Sequence, residues 1–227
     1  MAQTRTQTQT RPGTESSRQT GDRVKARALL RTHGETYAEQ AGIALRDTPS
    51  PLYRLLVLSM LLSARIRADV AVASSRALSD AGMKDARRMA DATWQQRVDA
   101  LGVGGYRRYD ERTSTQLGQG AELVLNEYGG DLRRMREDPR TAERLREVPG
   151  IGPTGVDIFL REAQEVWPEF GPYFGKKAQQ GAERLGLPKS PSKLAELVPE
   201  RDRARFAAAL VRAALDKKVV EDAREAA

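Results

Sequence analysis

The chain has 227 residues, long enough for one or two domains with a real core, and a formal net charge of +7 with no cysteine and one histidine. The missing cysteines exclude disulfides, thiolate clusters and cysteine nucleophiles, and the lone His33 excludes a histidine-rich metal site. A pI near 9.8 fits a polyanionic partner, a feature that an ordinary soluble basic protein also shows.

From Met1 to Gly21 the chain alternates Thr, Gln and Arg with no apolar run. It does not read as a signal peptide. It has too little to bury to offset the cost of ordering, so residues 1–21 are expected to form a disordered basic tail. No later stretch is long and apolar enough to span a bilayer, and the expected location is the cytoplasm. Asp22 is placed to cap a helix over Arg23–Thr32, with His33 at its end before Gly34, and a short helix over Glu35–Gln40 ends before Gly42.

Thr48-Pro49-Ser50-Pro51 is the next break, with Ser50 placed as cap and Pro51 as first helical residue. Leu52–Ser63 is apolar nearly all round, which marks a helix buried inside a domain. Further helices are expected from about Asp69 to Leu78, over Met83–Ala90, from Trp94 to Leu101 with Thr93 as cap, and from about Arg107 to Tyr128 before Gly129-Gly130. After a turn at Asp131, Asp138-Pro139 opens the helix that leads to Glu147. A helix over Thr154–Val166 and a Gly/Pro loop over Trp167–Gly175 follow. Lys176–Leu185 resumes helix, and Pro191–Val198 and Glu200 to about Ala223 read as the last two. No run alternates with period two over a strand's length, so the chain is expected to be all-α.

Between two of these helices stands Val148-Pro149-Gly150-Ile151-Gly152-Pro153. Pro153 suits a first helical turn, and the two glycines permit unusual backbone angles and close approach of another backbone. Such a hairpin aims free N–H groups and the positive end of a helix dipole at one spot, where a phosphate would bind. A plain helix–turn–helix corner fits the same residues.

Several segments together carry a resemblance. Leu61-Leu62-Ser63-Ala64 closes the buried helix, and Val98–Tyr106 (VDALGVGGY) precedes the long one. Leu145–Gly152 forms the hairpin, and Trp167-Pro168 and Arg184-Leu185-Gly186-Leu187 follow it. In this order and spacing the chain resembles the helix–hairpin–helix–GPD superfamily of base-excision repair DNA glycosylases, nearest to endonuclease III, from about Pro51 to Pro188. The resemblance implies two helical domains with a cleft between them. N-terminal helices (22–47) would pack with the C-terminal domain, followed by a central helical bundle (48–138) and the hairpin with the C-terminal helices (139–227). Pro149, Gly150, Ile151, Gly152 and Thr154 would grip DNA phosphate, with Arg65, Arg107 and Arg108 adding contacts. The partner would be damaged or distorted duplex DNA, with a base flipped into the cleft. No cofactor and no metal are expected. The iron–sulfur loop of the family needs four cysteines, and this chain has none.

In that family a lysine at the start of the helix after the hairpin attacks the sugar as a Schiff-base nucleophile, assisted by an aspartate at the end of the Gly/Pro loop. The lysine position matches Thr154, which cannot form a Schiff base. The aspartate position matches Tyr173 or, if Arg184–Leu187 sets the register, Gly175, and neither is a carboxylate. The glutamine usual after the first apolar helix is Arg65. The standard glycosylase/lyase mechanism should therefore not operate, and three readings follow. In the first, chemistry has moved to Asp157, on the Thr154 face of its helix, with Lys176 or Lys177 as amines. The plainer account of Asp157 is a first-turn carboxylate paired with Arg161 at i+4. In the second, the protein senses DNA structure or damage without turnover, and Arg65, Arg67, Arg107, Arg108, Arg112, Lys176 and Lys177 contact phosphate. In the third the fold is a protein-interaction module, against which the intact Pro-Gly-Ile-Gly argues.

Overall fold

The computed structural model describes residues 12–227, with side chains from Ser17 onward. Among the described residues the elements are all helical. In chain order they are α1 (Pro12–His33), α2 (Tyr37–Gln40), α3 (Pro49–Ser63), α4 (Ala68–Asp80), α5 (Ala86–Asp91), α6 (Trp94–Val103) and α7 (Asp110–Tyr128). Then come α8 (Leu132–Arg136), α9 (Thr141–Glu147), α10 (Pro153–Ala163), α11 (Lys176–Arg184), α12 (Pro191–Ala195), α13 (Arg203–Leu215) and α14 (Lys217–Glu225), with single 3₁₀ turns at Pro168–Phe170 and Glu200–Asp202.

Two apolar cores organise these helices. The first is built around α3, whose Leu52, Tyr53, Leu55, Leu56, Leu58 and Leu61 are all buried. Burying each leucine contributes about 1.5–3 kcal/mol, which explains a helix apolar on every side. The hairpin helices join this core through Leu145, Val148, Ile151, Val156 and Phe159, together with Trp167. Trp167 packs edge-on against Phe159 at 5.4 Å, and its Nε1 donates to Asp47 Oδ1 at 2.9 Å. The second core is built around α13 and gathers Ala26 and Leu29 of α1 with Phe174, Ala178, Ala182, Phe206, Leu210 and Val220. Gly181 is required there, because a Cβ would collide with the Leu210 carbonyl.

α10 and α13 touch each other and join the two halves. The N-terminal segment is tied across the joint. Glu162 Oε2 accepts the Ala38 N–H at 2.9 Å, and Arg161 pairs with Glu162 at 3.3 Å, both side chains being almost fully buried. The guanidinium carbons of Arg161 and Arg212 lie 5.4 and 4.4 Å from the Tyr37 ring centroid, within cation–π range. α1 packs on α13 and α14, where His33 Nε2 lies 3.1 Å from Asp222 Oδ2.

Some boundaries differ from the sequence expectation. Residues 1–11 of the expected tail lie outside the described residues. Residues 12–21 extend α1, so Asp22 lies within a helix instead of capping one. Propagating a helix already docked at its far end costs little, even through a stretch of modest helix propensity. α3 is capped at Thr48 with Pro49 first, one proline earlier than expected. α7 starts at Asp110, which leaves Arg107 and Arg108 in the preceding loop. The last helix breaks at Asp216, which is extended and accepts the Lys218 N–H, as an N-cap does.

Candidate functional site

The hairpin between α9 and α10 is held from behind by α7 and α3. Gly150 has φ +86, where an L side chain is strained, and a Cβ there would sit 3.0 Å from the Met60 sulfur and 3.2 Å from Gln116 Oε1. Gly120 of α7 leaves the space that Val148 fills, since a Cβ there would come within 3.1 Å of it. Gly152 is different. Its backbone is extended (φ −94, ψ −173), and a Cβ would meet nothing within 4 Å. The fold places no demand for glycine there, contrary to the expectation that both glycines serve unusual angles. Ile151 N–H closes the turn on Val148 O at 2.9 Å. The Gly150 and Gly152 N–H groups have no acceptor among the described residues.

The hairpin opens into a groove of about 640 Å³ lined by Pro149, Gly150, Ile151 and Gly152 with Arg65, Arg112 and Arg146. These three arginines are exposed and make no ion pair among the described residues. Tyr106 and Tyr109 also line the groove, and burial raises the Tyr106 phenol above its ordinary value. Of the arginines expected to contact phosphate, Arg65 lines the groove. Arg107 and Arg108 are exposed beside the groove without lining it, and Arg108 lies 5.3 Å from the ring centroid of its neighbour Tyr109. Arg67 points instead at Asp69, 2.6 Å away. Arg146 was not singled out from sequence, where it read as one more charge on a short helix. Only its spacing from the hairpin, four residues before Gly150, could have flagged it.

A second cavity, of about 930 Å³, lies between α10, α11 and the end of α13. Pro153, Thr154, Asp157, Arg161, Tyr173, Gly175, Lys176 and Lys177 line its polar side, and Leu62, Ile158, Phe174, Val211 and Leu215 its apolar side. Thr154 thus faces the cleft and not the hairpin groove. Asp157 and both lysines, 19 and 20 residues later in the chain, share one cavity.

Asp157 does not pair with Arg161. Arg161 turns to Glu162, and among the described residues the one hydrogen bond to the Asp157 carboxylate comes from the Tyr173 hydroxyl, at 3.2 Å to Oδ1. Gly175 precedes α11 as its N-cap, and a Cβ on it would overlap Asp157 Oδ1 and lie 2.7 Å from Cγ. The Asp157 carboxylate therefore fills the space where a side chain of residue 175 would begin. Burial, and then the charge and hydrogen bond of Asp157, push the Tyr173 phenol up to about 12, so it stays protonated and donates. No three His, Asp or Glu side chains cluster as metal ligands among the described residues. No helix among them is long and apolar enough to cross a membrane.

No family model matches the sequence, and no curated protein does. Solved structures do match. A trapped covalent intermediate of endonuclease III with DNA, an estranged-adenine complex, superposes with a TM-score of 0.52 at 12% identity, over 86% of this chain and 84% of that one. A non-covalent endonuclease III–DNA complex gives 0.53 at 12% identity over the same shares. The fold is that of endonuclease III. In this endonuclease III-like helix–hairpin–helix fold the groove and the cleft flank the start of α10, the hairpin on one side and Asp157 on the other.

Proposed function

We propose that this protein binds damaged or distorted duplex DNA in the cytoplasm, holding phosphate on the 149–152 hairpin and receiving an extruded nucleotide in the cleft. The observation that carries the reading is Gly152. It needs no glycine for its own backbone or packing, and its missing Cβ leaves room for a close neighbour outside the chain. The unengaged N–H groups of Gly150 and Gly152, the N-terminus of α10 and the cations Arg65, Arg112 and Arg146 suit a phosphate backbone in that place. The likeness in fold to structures of endonuclease III on DNA supports the same partner.

Chemistry in the cleft falls to Asp157. Cleavage of a glycosidic bond builds positive charge on the sugar, which a fixed carboxylate stabilises, or the carboxylate draws a proton from the attacking water. The C1′–base bond breaks, water supplies hydroxyl to C1′, and the leaving base gains the proton. Thr154 carries no amine, so base release does not proceed through a Schiff base at that position. Lys176 and Lys177 hold the 5′ or 3′ phosphate of the extruded nucleotide. A second reading, recognition without turnover, is favoured by one fact. Neither Tyr173 nor Gly175 brings its own carboxylate.

Both readings are separated on one panel of duplexes: intact, abasic, mismatched, oxidised, deaminated and alkylated. Base release, strand cleavage and affinity are scored separately. Turnover is expected as base release without strand cleavage, and Asp157→Asn is expected to lower it at least about a hundredfold with affinity kept. Salt-sensitive binding with no base release on any duplex would select the second reading, and no affinity for DNA would reject both.

A further inference from the structure

We propose that Tyr173 is a positioning residue for Asp157, with Gln164 as the clamp that holds Tyr173 in place. The inference rests on Asp157 being the working carboxylate of the cleft. Asp157 has no ion-pair partner among the described residues, since the arginine one turn on is committed to Glu162. A short side chain on the first turns of α10 would otherwise be free to change rotamer.

Two features hold it. Tyr173 Oη donates to Oδ1 at 3.2 Å, and Oδ2, on a residue that lines the cavity, takes no hydrogen bond among the described residues. Gly175 leaves the space in which the carboxylate rests. With φ −62, Gly175 is in a region open to any residue, so the demand for glycine comes from Asp157 and not from the backbone.

Tyr173 is itself fixed from both sides of its peptide. Its N–H donates to Gln164 Oε1 at 2.9 Å, and Gln164 Nε2 donates to the Tyr173 carbonyl at 3.0 Å. The same Nε2 donates to Arg161 O at 2.8 Å, so the clamp is anchored on α10, the helix that carries Asp157. Gln164 is buried, with 7% of its surface exposed. A buried amide whose donor and acceptor both meet one residue's backbone fixes that backbone more firmly than loop packing does. The loop that lost the carboxylate thus supplies a hydroxyl that orients one from the neighbouring helix.

The test uses the full chain, the same duplex panel and three variants. Tyr173→Phe keeps the ring and removes the hydroxyl. Gly175→Ala leaves Tyr173 untouched and displaces the carboxylate. Asp157→Asn reports on the site itself. Single-turnover base release is expected to fall about ten- to a hundredfold in Tyr173→Phe, as loss of a hydrogen bond to a charged group predicts. It should fall at least as far in Gly175→Ala, with DNA affinity and melting temperature unchanged in both. Independently of turnover, the Tyr173 phenol, followed by NMR of ring-labelled tyrosine and assigned by its loss in Tyr173→Phe, should titrate lower in Asp157→Asn than in the unaltered chain.

Base release at the unaltered rate in Tyr173→Phe or in Gly175→Ala would overturn the inference and leave Asp157 in its role. An unmoved Tyr173 titration in Asp157→Asn would overturn it as well. Full activity in Asp157→Asn, or no base release from any duplex by the unaltered chain, would overturn the reading of the cleft on which the inference stands.

Discussion

The hairpin groove and the cleft lie on either side of the same helix end, and they are built in opposite ways. The groove has a floor made of four consecutive residues, 149–152, whose turn chemistry is local. The cleft joins one stretch, 172–177, to residues far from it in the chain. Asp157 comes from α10, Tyr173 and Gly175 from the following loop, and Leu215 from the end of α13. The groove rests on the first core alone, through Val148 and Ile151, whereas Phe174 ties the wall of the cleft to the second core. A site that rests on one core tolerates change in the other, and a site assembled between two cores does not.

The strongest way to break this contrast is Phe206→Ala. Phe206 is fully buried and meets Phe174 edge-on at 5.9 Å. Its truncation should cost about 3–5 kcal/mol in urea unfolding and disturb the cleft while the hairpin still binds DNA. Equal loss of base release and of affinity, in protein that remains folded, would show the two sites to be one unit.

Next in size is Gly152→Val. It should leave the melting temperature unchanged, since its side chain meets open space in the free protein, and weaken DNA binding by about a hundredfold, read by fluorescence anisotropy. Gly150→Ala sharpens the point from the other side. It should lower stability by about 1–2 kcal/mol through its positive φ, whatever it does to DNA. Indistinguishable stabilities for the two variants would remove the difference between the glycines on which the phosphate reading depends.

The smallest expected effect is that of Arg146→Gln. Removing one phosphate contact should flatten the slope of log affinity against log salt by about 0.9 and weaken binding alike on all duplexes. Arg67→Gln, whose guanidinium already meets Asp69, is the matched control and should leave the slope where it is.

What the sequence determined by itself was whatever depends on near neighbours in the chain. The all-round apolar α3, the cap at Thr93, and the hairpin glycines with Pro153 in the first turn of α10 could all be read from runs of a few residues. Local hydrogen bonding, proline and glycine geometry and hydrophobic periodicity act over that range. The tertiary structure decided which of two competing partners each side chain takes. The i+4 spacing offered Asp157 to Arg161, yet Arg161 is drawn to the buried Glu162 that anchors Ala38, and Asp157 meets a tyrosine 16 residues away. Gly150 and Gly152 look alike in sequence, and the positive φ of Gly150 with the packing of Met60 and Gln116 beside it separates a glycine the fold requires from one it does not. Such choices depend on side-chain direction and on which surfaces the two cores bring together, and no local pattern encodes either.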